Sequence, residues 1–194
     1  MQLVFATSNE NKVKEIRSLL PEGIEVKSLR DIGFEEELEE TRGTISGNSL
    51  QKAEYLGEHF KAPCFAEDTG LEIDALGGKP GVCSARYAGE KASYQDNVSK
   101  VLKEMEGLQN RLARFVTVIT YYNAGKYVQF EGICEGEILR EERGIEGFGY
   151  DPIFIPLGCN LSFAEMRLEE KNLYSHRKKA FAKFLEFLKS KPEP

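Results

Sequence analysis

The chain has 194 residues, 41% of them hydrophobic, enough to bury a sizeable core as one domain over 1–194 without disulfides or a structural metal. Six of its 32 acids (Asp31, Glu35, Glu36, Glu37, Glu39, Glu40) fall in one short stretch, and the others match the 26 Lys and Arg, so the net charge of −6 is local and duplex nucleic acid is a poor partner. No apolar run approaches the roughly 20 residues of a membrane-spanning helix. Cys64, Cys83, Cys134 and Cys159 form no C-x-x-C pair, and only His59 and His176 join them, so buried free thiols in a cytoplasmic protein are expected rather than a zinc site or disulfide scaffold.

In chain order, Gln2 to Ala6 reads as a short buried strand followed by a polar loop. Lys12 to Leu20 places Val13, Ile16, Leu19 and Leu20 on one helical face. Ile24 to Leu29 is a second strand. Ser46 to Phe60 is helical, with Leu50, Ala53, Leu56 and Phe60 at spacings of three and four. Cys64-Phe65-Ala66 is an apolar strand running into Glu67-Asp68-Thr69-Gly70, and Leu71 to Ala75 reads as a further strand. Ser93 to Met105 is a helix whose Ser93 and Asp96 have capping-box spacing. Arg114 to Asn123 and Tyr127 to Leu139 form a long hairpin about Ala124-Gly125, the second arm broken by glycines. Ser175 to Lys189 is the last helix, with Phe181, Phe184, Leu185 and Leu188 inward. Alternating strands and helices followed by a hairpin predict an α/β fold with a mixed sheet and helices on its faces.

Several segments carry candidate chemistry. Thr7-Ser8-Asn9-Glu10-Asn11-Lys12 follows a strand and opens a helix. Its backbone N–H groups and the helix dipole suit phosphate, and an ordinary N-cap at Ser8 or Asn9 suits the same residues. The P-loop pattern occurs nowhere in the chain. The acidic stretch is either a solvated loop or a source of cation ligands. In Glu67-Asp68-Thr69-Gly70 two adjacent acids alternate in direction, so one can face a metal while the other turns inward. Asp68 before Thr69-Gly70 is a magnesium ligand, a base for water or a turn former. Gly77-Gly78 admits a ligand or makes a turn. Gly147-Phe148-Gly149-Tyr150-Asp151-Pro152 offers rings to stack on a base and a carboxylate to accept from ring N–H groups; a tight turn with its rings in the core is the alternative. Ser175-His176-Arg177 opens the last helix with donors, or with a capped basic turn.

The order of these pieces is more specific than any one of them. T-S-N-x-x-K, then E-E-T, E-D-T-G-L, A-L-G-G-x-P-G, S-A-R-Y, G-F-G-Y-D-P-I-F and S-H-R resembles the inosine-triphosphate pyrophosphatase family from Thr7 to about Ala180. The resemblance implies an elongated mixed sheet with helices on both sides and two lobes around a nucleotide cleft, in a homodimer. It implies hydrolysis of ITP, dITP and XTP to the monophosphate and pyrophosphate, with Mg2+ held by Glu40 and Asp68 and with Asp68 as base for water. Thr7, Ser8, Asn9, Glu10, Asn11, Lys12 and Lys52 would meet the phosphates and Thr69 the substrate. Phe148, Gly149, Tyr150 and Asp151 would form the base-stacking loop. Lys171, His176 and Arg177 would surround the purine edge and phosphate, with His176 and Arg177 donating to the 6-carbonyl.

Overall fold

The structure, a computed structural model, describes residues 1–190. In chain order it forms β1 (Gln2–Phe5), α1 (Glu10–Arg17), β2 (Glu25–Ser28), α2 (Ile45–Phe60), β3 (Cys64–Ile73), β4 (Lys79–Gly81), α3 (Tyr94–Glu104), β5 (Leu112–Asn123), β6 (Lys126–Ile138), β7 (Phe154–Pro156), α4 (Leu168–Tyr174) and α5 (His176–Ser190). Strands join in the order β2-β1-β3-β5-β6-β7, with β4 added to β3. β1 runs parallel to β2 and β3, while β4 is antiparallel to β3 and β7 to β6. The fold is therefore α/β with a mixed sheet, as the element order predicted. No helix among the described residues is long and apolar enough to cross a membrane.

Local chemistry explains most boundaries. Asn9 starts α1 because its side chain accepts from the N–H groups of Asn11 and Lys12. The helix thus begins at Glu10 and stops at Arg17, and Leu19 and Leu20 pack on the core from beyond its end. Ser93 and Asp96 form the expected capping box on α3. Ala124 and Gly125 both adopt positive φ, the requirement of a two-residue turn between strands. Three expectations fail. β3 is one continuous strand rather than two pieces around a turn at Glu67–Gly70. β6 is unbroken by its glycines; a Cβ on Gly136 would lie 2.4 Å from the Ile155 carbonyl, so this glycine lets β7 approach. Phe60, expected inward, is exposed at the end of α2.

The chain divides into two compact units. The first takes Met1–Asp68, Thr117–Gly132 and the chain from Arg177 onward. Side-chain alternation sorts its core into two sets. Leu3, Phe5, Phe65, Ile119 and Tyr121 turn toward Val13 and Ile16 of α1 and toward Ala180, Phe181 and Phe184 of α5. Ala6, Cys64, Ala66 and Tyr122 turn the other way, toward Ala53 and Leu56 of α2. The first unit therefore carries helices on both faces of its strands. Phe5 and Phe65 stack with centroids 4.5 Å apart, and each buried Phe contributes about 1.5–3 kcal/mol. Gly57 of α2 lies against Tyr122, where a Cβ would come within 2.2 Å of the ring.

The second unit, Thr69–Val116 and Ile133–His176, buries Leu71 and Ile73 of β3 with Val98, Val101 and Met105 of α3 and with Phe115, Phe154 and Phe163. Gly77 and Gly78 take positive φ in the turn from β3 to β4, which settles their role as a turn. The cysteines are free as expected, but burial holds only in part. Cys64 and Cys134 are buried, Cys159 is half-buried and Cys83 is exposed. Burial pushes the Cys64 thiol up to about 12.

Candidate active site

The period of two along β3 decides where its adjacent acids go. Asp68 shares the parity of Cys64 and Ala66 and turns toward α2; Glu67 shares the parity of Phe65 and turns toward α1 and α5. Each acid finds a buried cation on its own side.

On the α2 side, Lys52 extends Nζ to 2.6 Å from Glu40 Oε1 and 3.5 Å from Asp68 Oδ1. Burial opposes the charge on Lys52, yet Asp68 and Glu40 outweigh it and hold the ammonium above its ordinary pKa. Glu40 is brought there by the turn that follows it. The Thr41 N–H donates to Gln51 Oε1 and the Arg42 N–H to Asn48 Oδ1, which ties that turn to α2. Its neighbours have other roles. Glu36 accepts from the Tyr55 hydroxyl, Asp31 binds Ser28 and Arg17, and Glu35, Glu37 and Glu39 are exposed. One turn before Lys52, the fully buried Asn48 Nδ2 has no partner among the described residues.

Two carboxylates thus converge on one ammonium. Among the described residues no group of three or more His, Cys, Asp or Glu is arranged for a metal. Two carboxylates suit magnesium, which commonly takes one or two of them and fills its remaining positions with water and phosphate oxygens. Glu40 and Asp68 thus fit such an ion.

On the other side of β3, Arg177 donates from Nε and Nη2 to the two oxygens of Glu67, both at 2.8 Å, and from Nη1 to Glu15. Lys12 Nζ approaches Glu67 Oε1 at 3.1 Å. Arg177 and Glu67 are at most 2% exposed. Burial alone would raise the Glu67 pKa, but the Arg177 and Lys12 charges hold it far below the usual carboxylate range. Burial likewise disfavours charged Arg177, and Glu67 and Glu15 outweigh it and raise its pKa. Arg177 was expected at the purine edge; the guanidinium is instead spent inside the first unit. Glu15 and Glu67 are the partners that the sequence reading missed. Their signal was an acid on the inward arc of α1 and another inside an apolar strand.

Of the phosphate-loop candidates, Thr7, Asn9 and Lys12 are half-buried while Ser8, Glu10 and Asn11 are exposed. Asn9 acts as the N-cap, so the amides of Asn11 and Lys12 are satisfied within the helix and are not offered to phosphate.

The second unit holds the other candidates. Asp151 Oδ2 accepts from the Phe148 N–H at 2.9 Å and from Lys171 Nζ at 2.6 Å. Lys171 Nζ also stands 5.2 Å from the Phe148 centroid, and the Tyr94 ring lies 6.0 Å from Phe148. Phe148 and Gly149 are half-buried. Tyr150 is not a stacking ring: it is 4% exposed and its hydroxyl donates to the Ser84 carbonyl. Its rigid body fills core space while the polar tip finds a partner. His176 is buried against Phe115, with centroids 4.6 Å apart. Thr69 sits half-buried in β3. Gly147 has φ +75°, and a Cβ there would stand 2.0 Å from Asp151 Oδ2. Gly147→Ala is therefore expected to cost about 1–3 kcal/mol through backbone strain and displacement of that carboxylate. A thermal melt reads the loss, and an unchanged melting temperature would show that the loop yields freely.

Residues 3–187 match the sequence profile of the Ham1 family. The chain is 52% identical to the dITP/XTP pyrophosphatase of Christiangramia forsetii, covering 97% of this chain and 99% of that one. It is 45% identical to the protein of that name from Bacillus subtilis, covering 97% and 98%. The structure of a HAM1 protein from Coxiella burnetii superposes with a TM-score of 0.89 at 34% identity, over 98% of this chain and 100% of that one. The Staphylococcus aureus Ham1 protein gives a TM-score of 0.88 at 33% identity, over 97% and 98%. With the family profile matched over residues 3–187 and near-complete coverage on both sides, the chain belongs to the Ham1 family.

Proposed function

We propose that this protein hydrolyses deaminated purine nucleoside triphosphates (ITP, dITP, XTP) to the nucleoside monophosphate and pyrophosphate, with magnesium as cofactor. The observation that carries the reading is the buried Lys52 held between Glu40 and Asp68, with the unpartnered Asn48 Nδ2 one turn away. The name dITP/XTP pyrophosphatase borne by the relatives supports the substrate class.

In this reading Asp68 orients the attacking water and accepts its proton, while Lys52, Asn48 and Lys12 supply positive charge and a donor to the polyphosphate. Magnesium, when held by Glu40 and Asp68, offsets charge on the triphosphate and polarises its phosphoryl oxygens. The base stacks on Phe148, whose ring is steadied by Lys171. Lys171 and His176 lie in the same unit as Phe148, and in this reading they supply the donor to the 6-carbonyl acceptor of hypoxanthine or xanthine. Adenine places an amino donor there, leaving a donor facing a donor. A homodimer in the cytoplasm belongs to the same reading and rests on the family resemblance.

The test is incubation of the protein with ITP, XTP, dITP and ATP plus magnesium, with products separated by chromatography. Expected are IMP, XMP and dIMP with pyrophosphate, slow reaction with ATP, and no turnover after chelation until magnesium is restored. Release of orthophosphate would identify a different cleavage site and overturn the proposal.

A further inference from the structure

We propose that Glu67 is a positioning residue that acts on the reaction through Lys12. This rests on the reading of Lys12 as a phosphate-facing charge. Glu67 belongs to a buried quartet with Glu15, Arg177 and Lys12, whose four formal charges cancel. Three of the four are nearly sealed from solvent, their side chains being 0% (Glu67), 2% (Arg177) and 7% (Glu15) exposed; Lys12 alone, at 16%, reaches the surface. The quartet therefore has an inner end and an outer end.

The inner end is rigid. The guanidinium is planar, and it grips both oxygens of Glu67 while its third nitrogen donates to Glu15 on α1. The Glu67 carboxylate is thereby fixed from α5, and α1 is pinned to the same group from the other direction. The outer end is a flexible lysine whose ammonium would otherwise sweep a wide volume. Its contact with Glu67 Oε1 at 3.1 Å confines it. Lys12 also lies in the first turn of α1, so its backbone is held by Asn9. Side chain and backbone are thus fixed from opposite ends, the arrangement a cation needs if it is to meet a phosphate without reorganising. Asp68, the neighbouring acid on the same strand, faces the other side and takes no part in this grip.

A double-mutant cycle tests the proposal on the full chain with ITP and magnesium, using Glu67→Gln, Lys12→Met and the two combined. Expected is a roughly ten-fold or greater loss of kcat/KM for Glu67→Gln, a larger loss for Lys12→Met, and a double variant within about two-fold of Lys12→Met alone. Glu67→Asp keeps the charge that Arg177 requires but withdraws the carboxylate by one methylene. It covers the case in which Glu67→Gln does not fold and should lose a similar factor. A readout without catalysis accompanies these, the rate at which Lys12 is acetylated by a soluble acylating reagent, followed by peptide mass spectrometry. It should rise several-fold in both Glu67 variants. Multiplying losses in the cycle, wild-type kinetics in Glu67→Asp, or unchanged Lys12 acetylation would each overturn the proposal. If wild-type protein releases no pyrophosphate from ITP, the functional reading fails, and the acetylation result still reports whether Glu67 holds Lys12.

Discussion

Asp68→Asn is expected to retain the fold and to lose about 100- to 10,000-fold in turnover of ITP, the range over which a positioned general base contributes. The substitution preserves shape and removes one charge. Lys52 keeps its closer partner, Glu40 at 2.6 Å against 3.5 Å for Asp68, so the buried ammonium is not abandoned. The far-ultraviolet circular dichroism and melting curve should stay near wild type, while a pyrophosphate-release assay falls to the edge of detection. Retention of a third of the wild-type rate would make Asp68 a structural member of β3 and no more.

Arg177→Met should act in the opposite way, on stability rather than chemistry. It deletes the one guanidinium between two buried carboxylates, and removing one side of a buried ion pair costs about 3–5 kcal/mol. For a chain of this size that is a fall of roughly 6–20 °C in melting temperature. Replacing Glu15, Glu67 and Arg177 together by uncharged residues of similar volume should recover much of it, because the cost lies in the stranded charges. If Arg177→Met melts like wild type and loses discrimination between ITP and ATP, the guanidinium reads the base after all.

The two substitutions also mark what could and could not be read from the sequence. Period-three and period-four stripes located α2, α3 and α5, because helices of that length repeat their buried face several times. Ala124-Gly125 announced the hairpin. The strands β4 and β7, three residues each, and α4, seven residues, repeat nothing often enough to stand out. Glu67-Asp68-Thr69-Gly70 misled for a physical reason. Its local chemistry favours a turn, and what keeps it extended is remote: the Arg177 side chain lies 110 residues away along the chain, and Arg177 to Glu15 spans 162. The same remoteness hid the fate of Arg177. A cation beside His176 at the start of a helix looks available to a ligand until the acids folded against it are located. Lys52 and Glu40, by contrast, were both picked out by the resemblance, one for phosphate and one for magnesium, and they meet in the structure because the turn after Glu40 is tied to α2.

The opposite orientation of residues 67 and 68 limits how β3 can vary. A deletion or insertion of one residue between Phe65 and Glu67 would leave the chain length and the hydrophobic count almost unchanged. It would nevertheless exchange the two faces, sending the Arg177 partner toward Lys52 and the Lys52 partner toward Arg177. A single substitution on this strand disturbs one charge cluster, but a shift in its reading frame disconnects both at once. Length variation within this protein's lineage should therefore collect in the connections, such as Pro21–Gly23 or Glu106–Asn110, and spare the stretch from Cys64 to Asp68.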